Sequence, residues 1–119
     1  MEKKIGIVNR SAPHGTTHAR EALDLSLALS AFNESLSLFF IGDGVYQLLA
    51  KHQAGLILQK DFQPMLQMLE LYDVEQIYVC QQSLSIRNIS VEQLVIKTTL
   101  LSTEEINSQL TMQDQLLSF

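Results

Sequence analysis

Lys4-Ile5-Gly6-Ile7-Val8-Asn9, then Thr17 to Phe32, then Leu36-Ser37-Leu38-Phe39-Phe40-Ile41 are consecutive runs, and their alternation decides the fold. The first and third are short apolar runs bounded by turn residues, which reads as buried strand. Arg10-Ser11-Ala12-Pro13-His14-Gly15 between them carries Pro13 and Gly15 and reads as a turn. The middle run has helical spacing. At about 100° per residue, Ala19, Ala22, Leu23, Leu25, Leu27, Leu29 and Phe32 cover more than half of the helix circumference, and Arg20, Glu21 and Asp24 form a narrow polar face. An apolar arc that wide implies burial against a sheet on one side and against another element or subunit on the other. Strand, helix and strand in this order make a βαβ unit, whose two strands are parallel.

Working outward, Gly42-Asp43-Gly44 ends the second strand, and Val45 to Leu49 reads as a short helix capped by Asp43. Residues 51–60 read as a loop. Asp61 caps a further helix that tolerates Pro64 in its first turn, where amides have no intrahelical acceptor. Along it Phe62, Met65, Leu66, Leu69 and Tyr72 form an apolar stripe of core type. Gln76-Ile77-Tyr78-Val79-Cys80 reads as a third buried strand, and Gln81-Gln82-Ser83-Leu84-Ser85 as a loop feeding a short helix. Leu94 to Leu101 contains a fourth strand. Ser102-Thr103-Glu104-Glu105 is a capping box opening a helix to about Met112, and Gln115 to Phe119 is a final strand.

The expectation is an α/β class chain: one three-layer domain over residues 1–119 with a mainly parallel five-stranded sheet, strand order 2-1-3-4-5. In that order the turns Arg10–Gly15, Gly42–Gly44 and Cys80–Ser83 share the carboxyl edge. The first and third strands then flank the switch point where open sheets bind ligands.

Composition narrows the function. The 119 residues suffice for one core. Charged residues make up 18%, below the usual quarter, which suggests surface hidden against a partner. The net charge of −5 argues against a nucleic-acid surface, which needs clustered Lys and Arg. The acidic excess lies in residues 61–119, with eight acidic and two basic side chains, against five and six in residues 1–60. No basic segment followed by an apolar stretch marks a secretory signal, and no window reaches the ~18 apolar residues of a membrane span. The expected location is the cytoplasm, where a single cysteine stays reduced.

That cysteine, Cys80, closes the third strand, where a helix N-terminus or a nearby cation would favour its thiolate. It reads either as a reactive sulfur or as a small buried hydrophobe. Arg87 and His14 are the cations that could reach it. With no second cysteine, a self-contained redox cycle is excluded, so any cargo on Cys80 passes to a thiol of another protein. His14 and His18 are four apart, but His14 lies outside the helix and further ligands are lacking, His52 falling in the loop. Ser11, His14 and Asp43 lack the Gly-x-Ser-x-Gly elbow of a hydrolase, and Gly42-Asp43-Gly44 is neither a phosphate loop nor a dinucleotide fingerprint. No metal and no cofactor is expected.

Longer words resemble one family. Ala12-Pro13-His14-Gly15-Thr16, with Arg20-Glu21 and Leu23-Asp24, is similar to the opening of the TusC/DsrF subunits of the DsrE-like sulfur-relay proteins. Phe39-Phe40-Ile41-Gly42-Asp43-Gly44-Val45 with Gln47-Leu48-Leu49 resembles their second strand and turn. Leu71-Tyr72-Asp73-Val74-Glu75-Gln76, leading to Val79-Cys80 and Ser83-Leu84, resembles their third strand. The words span residues 12–84, and beyond residue 90 only the general pattern is similar. The TusC branch of the TusBCD complex is the better match.

The resemblance implies a DsrE-like fold and a cytosolic hetero-hexamer, a dimer of heterotrimers with TusB-type and TusD-type subunits. Such a complex receives persulfide sulfur from TusA and passes it to TusE, toward 2-thiolation of the tRNA wobble uridine (mnm5s2U) by MnmA. It touches neither tRNA nor membrane itself. The family's relay cysteine belongs to the TusD-type subunit, and Cys80 occupies the equivalent place. The implied role is mainly structural and not catalytic alone. The alternatives are a persulfide carrier through Cys80 and a stand-alone ligand-binding module of the same fold using the turns Arg10–Gly15 and Gly42–Gly44.

Overall fold

In a computed structural model the apolar runs form β1 (Lys4–Asn9), β2 (Ser35–Phe40), β3 (Gln76–Cys80), β4 (Thr99–Leu101) and β5 (Gln115–Ser118). The structure describes residues 3–12, 17–32, 35–49 and 62–119, and only the backbone of 62–65. Joining the strands are α1 (His18–Ser30), a 3-10 helix over Gly42–Leu48, α2 (Phe62–Leu71), α3 (Gln81–Ile86) and α4 (Thr103–Thr111). The expected turn residues Pro13 to Gly15, the loop over 51–60 and the cap Asp61 lie outside the described residues.

Every neighbouring strand pair is parallel, and the order is β4-β3-β2-β1-β5. The expected order 2-1-3-4-5 is therefore corrected: β2 pairs with both β1 and β3, while β5 lies beside β1. The reason lies in β2 itself. Leu36, Leu38 and Phe40 are buried on one face and Ser37 and Phe39 on the other. A strand apolar on both faces belongs in the middle of a covered sheet, and as an edge it would leave Phe39 and Phe40 poorly covered. β4, three residues long and largely exposed, suits an edge.

The order also sorts the helices. Connections from β1 through β4 advance in one direction, so right-handed crossovers put their helices on one face. The return from β4 to β5 runs the other way and puts α4 on the opposite face. The buried residues divide accordingly. Ile7, Leu38, Phe40, Ile77 and Val79 share a cluster with Ala22 and Leu23 of α1 and Leu66 and Leu69 of α2. Val8, Phe39 and Cys80 share another with Ile106 of α4, and the Phe39 and Tyr78 rings are tilted with centroids 5.3 Å apart. Burying each of the large side chains is worth about 1.5–3 kcal/mol.

A local signal sets the start of α4. The capping box is formed: Ser102 Oγ accepts from the Glu105 amide at 3.2 Å, and Glu105 Oε1 accepts from the Ser102 amide at 2.9 Å. Three expectations need correction. Phe32, placed in the apolar arc, lies beyond α1 and is 72% exposed. Asp43 caps nothing, because the chain winds into a 3-10 helix and Asp43 pairs with Arg87 at 2.9 Å. No loop follows β3: α3 starts at Gln81, with Cys80 as its N-cap residue.

Candidate functional site

Since β3, β2 and β1 are neighbours, the segments leaving them meet at the carboxyl edge. The Ile41 amide donates to the Asn9 carbonyl at 3.1 Å, and Gln47 Nε2 donates to the Ser11 carbonyl at 2.7 Å. The Gly42 amide donates to Ser83 Oγ at 2.9 Å. Close approach requires glycine at position 44, where a Cβ would fall on the Asn9 carbonyl oxygen, 2.6 Å from its carbon. The switch point is not between the first and third strands, as expected, since β2 separates them. β3 passes into α3 on one face and β4 into α4 on the other, so the connections part between β3 and β4, where Cys80 pairs with Leu101.

Cys80 thus occupies the crevice by a different topology from the one expected. Strand alternation turns its side chain toward the α4 face, and it is 7% exposed. Burial pushes the thiol's pKa up, but contacts with the Ser83 hydroxyl and amide, the Thr103 hydroxyl and the Gln82 amide more than offset it, so the pKa lies below the ordinary value. The sulfur makes no formed capping bond to α3. A neutral thiol is a weak acceptor, and a thiolate would draw these donors in. None of the groups displacing the titration is charged.

Arg87, expected as a cation for the thiol, is committed elsewhere. Its Nη2 and Nε donate to Asp43 Oδ1 at 2.9 and 3.2 Å, and its Nη1 donates to the Ser83 carbonyl at 3.1 Å. The guanidinium carbon lies 5.8 Å from the centroid of the Tyr46 ring. Arg87 therefore braces Ser83 and is not a counter-ion to the sulfur. His14, the other candidate, lies outside the described residues.

Thr103 Oγ1 donates to Gln82 Oε1 at 2.7 Å and joins the start of α4 to the start of α3 beside the thiol. Ser83, Gln82 and Thr103 escaped the sequence reading. The signal for Ser83 was present as Cys-x-x-Ser, the N-cap to N3 spacing that brings a side chain back over the first turn. Thr103 comes from a distant segment and carried no such signal. The arrangement favours the thiolate form of Cys80 more than burial alone would.

Two clefts lie apart from Cys80. One of about 560 Å³ is lined by Arg10, Ser11, His18, Glu21, Ser118 and Phe119, without Gly42–Gly44. The other, about 430 Å³, lies among Glu70, Asp73, Glu75, Lys97 and Thr98. Among the described residues no cluster of His, Cys, Asp and Glu is placed to hold a metal, and no helix is long and apolar enough to cross a membrane. Asp43 is held by Arg87, and His14 and His52 lie outside the described residues.

The profile of the DsrE/DsrF-like family matches residues 3–119. "Protein TusC homolog" of Vibrio vulnificus (strain CMCP6) is 48% identical over 110 residues, covering 92% of this chain and 93% of the relative. Its namesake in Aliivibrio fischeri is 45% identical over 116 residues, 98% of each chain. "Protein TusC" of Shigella flexneri is 39% identical over 118 residues, 98% of this chain and 99% of the relative. Among solved structures, the crystal structure of the ychN protein from E. coli superposes with a TM-score of 0.82 at 28% identity, covering both chains fully.

Proposed function

Because the chain belongs to the DsrE/DsrF-like family, we propose that it is a subunit of a cytoplasmic sulfur-relay assembly that supplies sulfur for 2-thiolation of the tRNA wobble uridine. In this reading it completes a hetero-hexamer with TusB-type and TusD-type siblings, which takes persulfide sulfur from TusA and delivers it to TusE. The observation that carries it is the similarity to TusC proteins at 39–49% identity over nearly the whole chain. Exposed Leu71 and Ile86 (78% and 68%) and Phe32 give an oligomeric subunit apolar surface to bury. The test compares the 2-thiouridine content of tRNA in cells lacking the chain with cells carrying only a Cys80→Ser copy. Loss of thiolation on deletion and retention with Cys80→Ser is the result expected of a mainly structural subunit. Undiminished 2-thiouridine in the deletion would refute the relay role altogether.

One observation favours a second reading, in which Cys80 carries the sulfur: its pKa is lowered although the thiol is buried. The Cys80 thiolate would attack the terminal sulfur of the donor's persulfide. A new S–S bond forms on Cys80, the donor's S–S bond breaks, and the donor leaves as a thiolate. The acceptor's thiolate then takes the same terminal sulfur and restores the Cys80 thiolate, so no external oxidant or reductant is consumed. Under this reading Cys80→Ser abolishes thiolation while the complex still assembles.

A further inference from the structure

We infer that the cleft at the amino ends of β3 and β4 is a docking site for a basic segment of a partner protein, one that carries arginine or lysine together with apolar side chains. The inference goes beyond the relay reading and does not rest on it, since the cleft lies at the opposite end of β3 from Cys80.

The cleft, about 430 Å³, opens where α2 ends and the chain enters β3 and β4. Three carboxylates line it, those of Glu70, Asp73 and Glu75, against the single ammonium of Lys97. Glu70 Oε1 accepts from the Lys97 amide at 3.4 Å, which ties the end of α2 to the approach to β4. The exposed carboxylates of Asp73 and Glu75 make no ion pair or hydrogen bond among the described residues. A cleft of that sign draws cations and repels phosphate. It also gives the acidic excess of residues 61–119 a place in the fold.

A second observation comes from the wall of the cleft. Thr98 Oγ1 is buried and has no hydrogen-bond partner. Its direction follows from the strand it leads into. Leu101 packs on the α4 side of the sheet, so alternation turns Leu100 and Thr98 to the other side, which Ile77 of the cleft lining shares. Buried hydroxyls are seldom left unsatisfied, and this one is directed at the cleft with acceptor directions to offer a donor.

The spacing of these groups decides what kind of cation fits. Among the described residues no three acidic, imidazole or thiol groups are placed to hold one metal ion. The carboxylates therefore suit positive charge spread along a segment, as on arginine or lysine side chains with several donors each. Leu71 and Tyr72 fall between Glu70 and Asp73 in the chain, and both are large and exposed. Apolar surface interleaved with carboxylates is complementary to a polypeptide that alternates basic and apolar residues, and a polyamine would leave it uncovered.

The test is the fluorescence anisotropy of a labelled, capped peptide of alternating arginine and leucine, titrated with the full chain at low ionic strength. Saturable binding that weakens as salt is added is expected, because exposed charges are screened. Asp73→Asn combined with Glu75→Gln removes two charges and keeps their shape, and asparagine suits the left-handed backbone at position 73 (φ 60). This variant is expected to bind at least about threefold more weakly. Glu92→Gln with Glu104→Gln, at exposed carboxylates outside the cleft, should leave the affinity unchanged. Leu71→Ser should weaken binding as well. Absence of saturable binding overturns the proposal. Equal losses from the two carboxylate pairs overturn it too, by showing a general attraction to an acidic chain. If Leu71→Ser has no effect and spermidine binds as tightly as the peptide, the cleft holds a polyamine and the proposal fails.

Discussion

Gly42 and Gly44, two residues apart in one turn, should respond to alanine in very different ways. At Gly44 the new Cβ would fall on the Asn9 carbonyl oxygen, 2.6 Å from the carbonyl carbon and 3.2 Å from the Arg10 amide nitrogen. Carbon atoms pack at about 3.5–4.0 Å, so the two segments must part by about 1 Å. All three obstructing atoms are backbone, and no rotamer change relieves them. Parting the segments breaks the Ile41 to Asn9 bond (3.1 Å) and strains the Gln47 to Ser11 bond (2.7 Å), which involves a buried side chain. Two such losses cost about 1–3 kcal/mol each, about 2–6 kcal/mol together, and lost packing brings the lower bound to about 3 kcal/mol. Against a total stability of about 6–18 kcal/mol for a chain of this size, that is a large fraction. At Gly42, by contrast, φ is +54° and nothing lies within 4 Å of the added methyl, so alanine pays only the left-handed backbone cost of about 1–2 kcal/mol. Thermal unfolding followed by circular dichroism should place Gly44→Ala at least about 10 °C below the parent and Gly42→Ala within about 8 °C. Equal melting temperatures for the two variants, or a Gly44→Ala protein that melts with the parent, would refute the close contact of the β1 and β2 turns.

Further expectations concern the capping box and the thiol. Ser102→Ala removes the acceptor of the Glu105 amide and should cost about 1 kcal/mol in urea denaturation with an unchanged m-value; no change in midpoint would show that the box is not formed. The native pKa of Cys80 lies below that of the ordinary thiol it becomes on unfolding. Between those values the unfolded state binds more protons, so stability should rise with pH there and level off above the unfolded value. This contribution is lost as pH falls through the native pKa. Cys80→Ser should flatten that rise in melts run from pH 6 to 9.5, and an identical slope in the variant would contradict a lowered thiol pKa.

Several features were plain in the residues because their causes are short-range. The bounds of β1 and β3 coincide with the apolar runs 4–9 and 76–80, since burial demands apolar side chains over the whole run. The Ser102 box needs only four residues and forms as read. The strand order differs from the one that alternation suggests, although β2 carries its own evidence in Leu36, Leu38 and Phe40 against Phe39. Arg87 departs from expectation for a different reason. A long side chain can reach many partners, and Asp43, the one it found, lies 44 residues away.

The residues alone specified strands alternating with helices, a lone thiol at a strand's carboxyl end, and a resemblance confined to residues 12–84. These follow from local periodicity, turn chemistry and sequence words, all of which act over a few residues. Only the folded chain decided that β2 is central, that the connections part between β3 and β4, and that Cys80 packs with Ile106 of α4. Those facts depend on which strands pair across long loops, and pairing is settled by the burial of whole faces at once. The surroundings of Cys80 follow from that pairing: with β2 beside β3, the Gly42 amide reaches Ser83, three residues beyond the cysteine.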